Sequence, residues 1–289
     1  MYNLSSLVKR NIKVFIRDKA SVFFSFLSVL IMLLLYFLFL GKQYTSDPSL
    51  DTLTQNQKTF LSMGVIMGGV LVINTISLSL GVMVSIVNDL QTRKLEGFLV
   101  TPIHRVKIIL SYFISSFIVT AILTLLMWVA TILYLGLAAG YWYNLETILI
   151  ASLLLLFFTL ISSSFMISLV SFIKSQNAFG VLAGILGTVI GFMSGIYMPL
   201  HVLGKGMTNV ASILPFTHMT ILLKQVLLKQ PYLLLDSEVK GAIEVFYGTN
   251  EIGVFGLSVS MVYLMIGIII LSIIFLLIAY KNMIKKMVK

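Results

Sequence analysis

The sequence predicts an all-α polytopic membrane protein with six transmembrane helices, and three observations carry that prediction. Of 289 residues, 59% are hydrophobic and only 10% charged, whereas a soluble domain carries about 25% charged and about 45–50% apolar residues. Six apolar runs each reach the roughly 20 residues that a hydrocarbon core requires. The Lys and Arg residues alternate between the loops in one sense, as they do in membrane proteins of fixed orientation. Lipid is therefore the solvent for most of the chain, which excludes soluble enzymes, secreted scaffolds and disordered proteins. The chain has no cysteine, so disulfides, zinc–thiolate sites, iron–sulfur clusters and cysteine nucleophiles are excluded as well.

Residues 1–21 mix Leu4, Leu7, Val8, Ile12, Phe15 and Ile16 with Lys9, Arg10, Lys13, Arg17 and Lys19. That mixture suits a cytoplasmic helix lying in the headgroup layer, and equally a basic anchor with no further role. The spans follow at 22–40, 60–87, 108–135, 148–173, 179–198 and 252–280, none of which contains Asp, Glu, Lys, Arg or His. They lack strand alternation and are too long for barrel strands of about 9–11 residues. The first run is read as a retained span. It is longer than a signal core, has no A-x-A-like exit and continues into Gly41-Lys42-Gln43-Tyr44.

The loops set the orientation. Segments 1–21, 88–107, 174–178 and 281–289 hold 14 of the 20 Lys and Arg, while 7 of the 10 acidic residues lie on the other side. Both termini are therefore expected in the cytoplasm of a cell (plasma) membrane protein. The net charge of +10 is a topology signal; no basic soluble surface exists for nucleic acid.

Span 2 carries a polar stripe, Asn74, Ser77, Gly81, Ser85 and Asn88, at steps of three and four, and a Gly64–Gly68 pair above it. Span 4 repeats the device with Ser164, Ser168, Ser171 and Ser175. Span 5 presents Gly180, Gly184, Gly187, Gly191 and Gly195. Small residues let helices approach closely in lipid, so these are expected packing faces. Asn74, the only amide within a span, is the candidate for a cavity-facing role. Segment 199–251 is external: two short helices at about 200–213 and 216–230 dip into the outer leaflet around a Pro215-Phe216-Thr217 turn, followed by a polar loop.

Enzymatic and ion-coupled chemistry finds no residues. There is no G-x-x-x-x-G-K-[ST] run, no carboxylate within a span for proton coupling, and the histidines His104, His201 and His218 are scattered through loops. The chain is expected to be no enzyme and to bind no cofactor or metal itself.

The cytoplasmic loop 88–107 is the informative one. Leu95, Phe98 and Leu99 fall at i, i+3 and i+4, a narrow apolar face on a short, otherwise charged helix that Pro102 ends. Such a ridge fits a partner's groove or the membrane surface; the residues alone leave both open.

This loop resembles that of the export-type (type 2) ATP-binding-cassette transporter permeases. The matching residues are Asp89, the pair Leu95-Glu96, and Thr101-Pro102-Ile103-His104-Arg105. Lys94 stands where the family has a small residue before Leu-Glu, and Gly97 follows the pair. Ser194-Gly195-Ile196-Tyr197-Met198-Pro199-Leu200 and Leu214-Pro215-Phe216-Thr217 are similar to the family's fifth-span exit and external helix pair. The resemblance implies a half-transporter. A second permease chain, identical or a paralogue, pairs with this one. A separate ATP-binding-cassette ATPase subunit, holding ATP and Mg, docks on a coupling helix formed by Asp89, Arg93, Leu95, Glu96, Phe98, Leu99, Thr101, Pro102 and Arg105. It also implies a substrate pathway near Asn74, Phe192, Met193 and Tyr197. The expected function is the permease subunit of an ATP-driven exporter for an amphipathic or lipid-like cargo, such as a drug, antimicrobial peptide or lipid. A polysaccharide or wall-polymer exporter of the same class is the alternative, followed by an ion-coupled carrier or a non-transport membrane protein.

Overall fold

A computed structural model describes residues 4–23, 27, 31, 34, 50–99, 103–194, 204–249, 253–254 and 257–288. Of the first predicted span only Val22, Phe23, Leu27, Ile31 and Leu34 fall within that set, so the span as a whole lies outside it. The described residues are helical apart from turns and one small antiparallel hairpin, β1 (Gly253–Val254) with β2 (Leu257–Ser258), in which Gly253 pairs Ser258 and Val254 pairs Leu257.

The chain opens with α1 (Leu4–Arg17), which buries Leu7, Val8, Asn11 and Phe15. Asp18 ends it and starts the next helical turn, accepting from the Ser21 N–H at 3.0 Å and the Ser21 hydroxyl at 2.6 Å. Next comes α2 (Gln55–Gln91), whose start is a reciprocal cap: Thr54 Oγ1 accepts from the Gln57 N–H, and Gln57 Oε1 accepts from the Thr54 N–H at 2.8 Å. The short α3 (Lys94–Leu99) precedes α4 (Arg105–Tyr134), which runs into a π-helical turn at Leu135–Ala139. Gly140 at φ +71° then reverses the chain. α5 (Leu145–Val170) is capped by Asn144, whose Oδ1 accepts from the Thr147 N–H at 2.8 Å. α6 (Gln176–Met193) is capped in the same way by Ser175.

Two shorter helices follow, α7 (Gly204–Ala211) and α8 (Pro215–Leu228). Pro215 occupies the first position of α8, where its missing N–H has no partner to lose. α9 (Ser237–Tyr247) and α10 (Met261–Val288) complete the chain. The last apolar run thus starts its helix at Met261, after the glycine-containing hairpin, and extends through Lys285 and Lys286.

Five of the described helices are long and apolar enough to cross a membrane: α2, α4 with its extension to Leu137, α5, α6 and α10. They are not equivalent. Of the most apolar stretch of α2, 83% is buried inside the chain, against 17% in α6 and in α10. α2 is the central element, with α4, α5, α6 and α8 packed around it. Exposed Leu126 and Leu133 on α4, and Ile270 and Leu277 on α10, form the apolar exterior.

Two features bind the core. Gly68 lets α8 approach, since a Cβ there would lie 3.1 Å from Lys224 Cα, and Gly64 does the same beneath Leu228. A ladder of buried hydroxyls then ties α2 to α4 and α5. Thr75 meets Ser162 at 2.8 Å, and Ser79 meets Ser163 at 3.1 Å and Thr120 at 3.3 Å. In an apolar surround such groups must satisfy one another. The rungs on α2 are Thr75 and Ser79, with only Asn74 drawn from the predicted stripe; Ser164 on α5 bonds back to its own Leu160 carbonyl at 2.6 Å.

Candidate functional site

The densest polar constellation lies where α1, the end of α2, α3 and the start of α4 converge. Its centre is Asp89, near the end of α2, with a relative exposure of 2%. A carboxylate that deep needs compensating donors. It has three. The Arg10 guanidinium from α1 grips it as a fork, with Nη2 at 2.9 Å from Oδ1 and Nη1 on Oδ2. The Tyr112 hydroxyl from α4 donates to Oδ2 at 2.6 Å. Bidentate, charge-assisted bonds of this kind fix geometry as well as contributing energy. The hydrogen bond to Asp89 raises the affinity of Arg10 for its proton above the ordinary value, against the opposing effect of burial.

Neighbouring bonds extend the lock. Arg10 Nη1 also donates to Asn11 Oδ1 at 3.0 Å, and Asn11 Nδ2 donates to Ser111 Oγ at 3.2 Å. α1 is therefore pinned to α2 by charge and to α4 by an amide–hydroxyl bond to Ser111, one turn inside the span that begins at Ile108.

The reversal from α2 into α3 depends on Arg93, whose φ of +55° is the only positive value at a non-glycine residue among the described ones. A side-chain-bearing residue adopts that region at a cost of about 1–2 kcal/mol. Thr92 supports the turn, its hydroxyl donating to the Asn88 carbonyl at 2.7 Å. The turn sends α3 back beneath the bundle. Leu95 enters the core at 4% exposure. Phe98 is half-buried with its ring under the Arg10 guanidinium, Cζ lying 5.5 Å from the ring centroid, within range of a cation–π attraction.

This arrangement changes the reading of the loop helix. The expected apolar ridge is not turned outward: Leu95 packs inside the chain, Phe98 supports Arg10, and the side chain of Leu99 lies outside the described residues. What faces outward is Lys94, Glu96 and the bare backbone of Gly97, with Arg93 3.9 Å from Glu96. Arg105 is exposed at the first position of α4, and Thr101 and Pro102 lie outside the described residues.

Further contacts gather the other helices to the same end. The Gln176 N–H at the start of α6 donates to Gln91 Oε1 at 3.1 Å. On α10, Asn282 Nδ2 donates to Ser171 Oγ at 3.1 Å and Lys286 Nζ to the Ile173 carbonyl at 2.6 Å.

The residues expected to line a pathway are not gathered in this way. Asn74 is fully buried and donates to Thr124 Oγ1 of α4 at 3.4 Å, so it points into the bundle. Its Oδ1 has no partner among the described residues, and neither do Trp128 Nε1 and the Tyr143 hydroxyl. Phe192 is 42% exposed on α6, and the Met193 carbonyl accepts from the Thr217 hydroxyl of α8 at 2.9 Å. Tyr197 lies outside the described residues. On the glycine face of α6, a Cβ at Gly180, Gly184 or Gly187 would meet nothing within 4 Å. Gly191 is buried, and Gly195 lies outside the described residues.

Sequence reasoning named Asp89 as a site residue, placed Arg10 only among the basic residues of the interfacial segment, and did not name Asn11, Ser111 or Tyr112. The available signal was Asp89 itself, an acid bordering a long apolar run on the basic side of the chain. A family model described as ABC-2 type transporter matches residues 2–228, a stretch that holds the whole junction and α1 to α8. No curated protein matches the chain.

Proposed function

Because this chain belongs to the ABC-2 type transporter family, a family of multi-pass membrane permeases of ATP-binding-cassette exporters, we propose that it exports an amphipathic or lipid-like cargo using a separate ATPase subunit. ATP and Mg belong to that subunit, and two permease chains frame the pathway.

The observation that carries this reading is the Arg10–Asp89–Tyr112 junction. Its hydrogen bonds tie α1, α2 and α4 together, and the short loop helix α3 joins them through the Phe98 ring beneath the Arg10 guanidinium. A helix that only rested on a membrane would need no such anchorage, whereas one that receives force must pass it on without yielding. In this reading the ATPase docks on the outward edge of α3, at Arg93, Lys94, Glu96 and Gly97. Its closure moves α3, and the junction delivers that movement to α1, α2 and α4 together. The open glycine face of α6 is offered to the second chain, where close backbone approach replaces a hydrophobic drive. Both termini lie in the cytoplasm. The amphiphile is favoured as cargo because α6 and the part of α10 between Met261 and Tyr280 carry no charged residue and expose mainly aliphatic side chains.

Purification in mild detergent followed by reconstitution tests the proposal. An ATPase subunit should accompany the chain, and transport should stop when that subunit's ATP site is disabled. Transport that continues on an ion gradient alone overturns it.

A further inference from the structure

α1 has a second face that the junction does not use. On a helical wheel Ile12 and Ile16 lie opposite Arg10, and there an apolar groove of about 680 Å³ opens between α1 and α4, within the range of about 300–1,000 Å³ typical of small-molecule sites. Phe23 and Ile122 complete its walls, and Lys19 is the one charged residue lining it. The groove sits at a definite level. The run of exposed large apolar side chains on α4, namely Ile122, Leu126, Val129 and Leu133, begins there. It is therefore open to acyl chains at the edge of the lipid-facing band.

Beside the groove runs a row of cations. Lys9, Lys13 and Arg17 follow at steps of four and border a shallow concavity of about 370 Å³ with Ser6 and Val14. All three, and Lys19, are exposed, and none makes an ion pair among the described residues. Asp18, the acid of this segment, is committed to Ser21, and that bond holds its proton affinity below the ordinary carboxylate value. The patch is thus a net positive border on an apolar slot, which calls for a ligand with an anionic head and a hydrocarbon tail.

We propose that this groove binds one anionic phospholipid of the leaflet on the α1 side, with an acyl chain against Ile16, Phe23 and Ile122 and the phosphate on Lys13, Arg17 and Lys19. The site is independent of the exporter reading: it requires neither the ATPase nor cargo. A basic side chain near a membrane surface favours an anionic lipid by about 1 kcal/mol, which is roughly fivefold in preference for each cation.

The test uses the full-length chain, delipidated in detergent and offered equimolar phosphatidylglycerol and phosphatidylcholine of matched chain length, with bound lipid read by native mass spectrometry. Phosphatidylglycerol should be retained in preference, with a stoichiometry of one per chain. The surface variant K13S/R17S/K19S should lose that preference. Ile122→Trp, which fills the groove without touching a charge, should lower retention of phosphatidylglycerol by about tenfold or more, while the melting temperature of both variants stays at that of the parent. Equal retention of the two lipids by the parent overturns the proposal, as does an unchanged preference in the triple variant. Unchanged retention by Ile122→Trp also overturns it, since the charges would then act as a diffuse surface without a seated chain.

Discussion

Arg10→Met is the substitution that tests the junction most directly. It keeps an unbranched apolar stem as far as the Nε position and removes the guanidinium. Asp89, whose side chain is 3% exposed, is then left with the Tyr112 hydroxyl as its remaining donor in the junction. Removing one partner of a buried pair costs about 3–5 kcal/mol. The 29% exposure of Arg10 lets water reach the vacated position and places the cost near the lower bound, about 3 kcal/mol, or on the order of a hundredfold in the folding equilibrium. Adding Asp89→Asn removes the stranded charge, leaving a deficit of about 1 kcal/mol for neutral hydrogen bonds. The double variant is thus more stable than Arg10→Met by about 2 kcal/mol. Unfolding in mixed micelles, followed through Trp128 and Trp142, measures all four corners of the cycle. Distant, independent sites add to within about 0.5 kcal/mol; effects of Arg10→Met and Asp89→Asn that add that closely would show the two residues are not a functional pair, and the reasoning would fail. Coupled ATP hydrolysis should fall in Arg10→Met and recover partly in the double variant.

Four further outcomes are expected. Gly68→Leu places its Cβ 2.6 Å from Lys224 Cγ and 3.1 Å from Lys224 Cα, so α8 must shift at a cost of about 1–3 kcal/mol or more. A Cβ at Gly184 would meet nothing within 4 Å, so Gly184→Leu should leave the melting temperature of the single chain unchanged while weakening chain pairing in cross-linking. Phe98→Asp sets a second carboxylate beside Arg10 in competition with Asp89; ATPase co-purification should drop about tenfold with insertion intact, and normal co-purification would remove α3 from the docking surface. His218 in α8 is held below its ordinary value of 6.5 by burial, partly offset by the Ser212 carbonyl at 2.7 Å from its Nε2. The unfolded chain then binds more protons than the folded one, so the His218 contribution to stability is complete above about pH 6.5 and declines as the pH falls below it. A His218→Gln variant should flatten the pH dependence of the melting temperature in that window.

The helices were legible because lipid leaves the backbone no alternative: an apolar run must satisfy its own N–H and C=O groups. The break at Pro215 and the close approach at Gly64 and Gly68 were legible for equally local reasons. The junction was not, since Arg10 and Asp89 are 79 residues apart and nothing local couples them; only the need of a buried carboxylate for a cation joins the two. The orientation of α3 failed for a related reason. The spacing of Leu95, Phe98 and Leu99 identifies an apolar face but not what covers it, and here Leu95 and Phe98 are covered by the chain's own bundle. Along α2 the sequence offered several small polar residues at helical steps, and the choice of Thr75 and Ser79 as rungs depends on how α2 is rotated against Ser162 and Ser163, a tertiary fact.

At 37 residues and about 1.5 Å per residue, α2 is a stiff rod roughly 55 Å long that joins Asp89 at one end to the capped Thr54 turn at the other. Tilting such a rod by about 5° about its lower end sweeps the far end through about 5 Å, approximately one helical turn. Under the proposed coupling, small displacements applied through α3 would thereby be magnified at the opposite face, and α4, α5, α6 and α8, packed on the same shaft, would slide or follow.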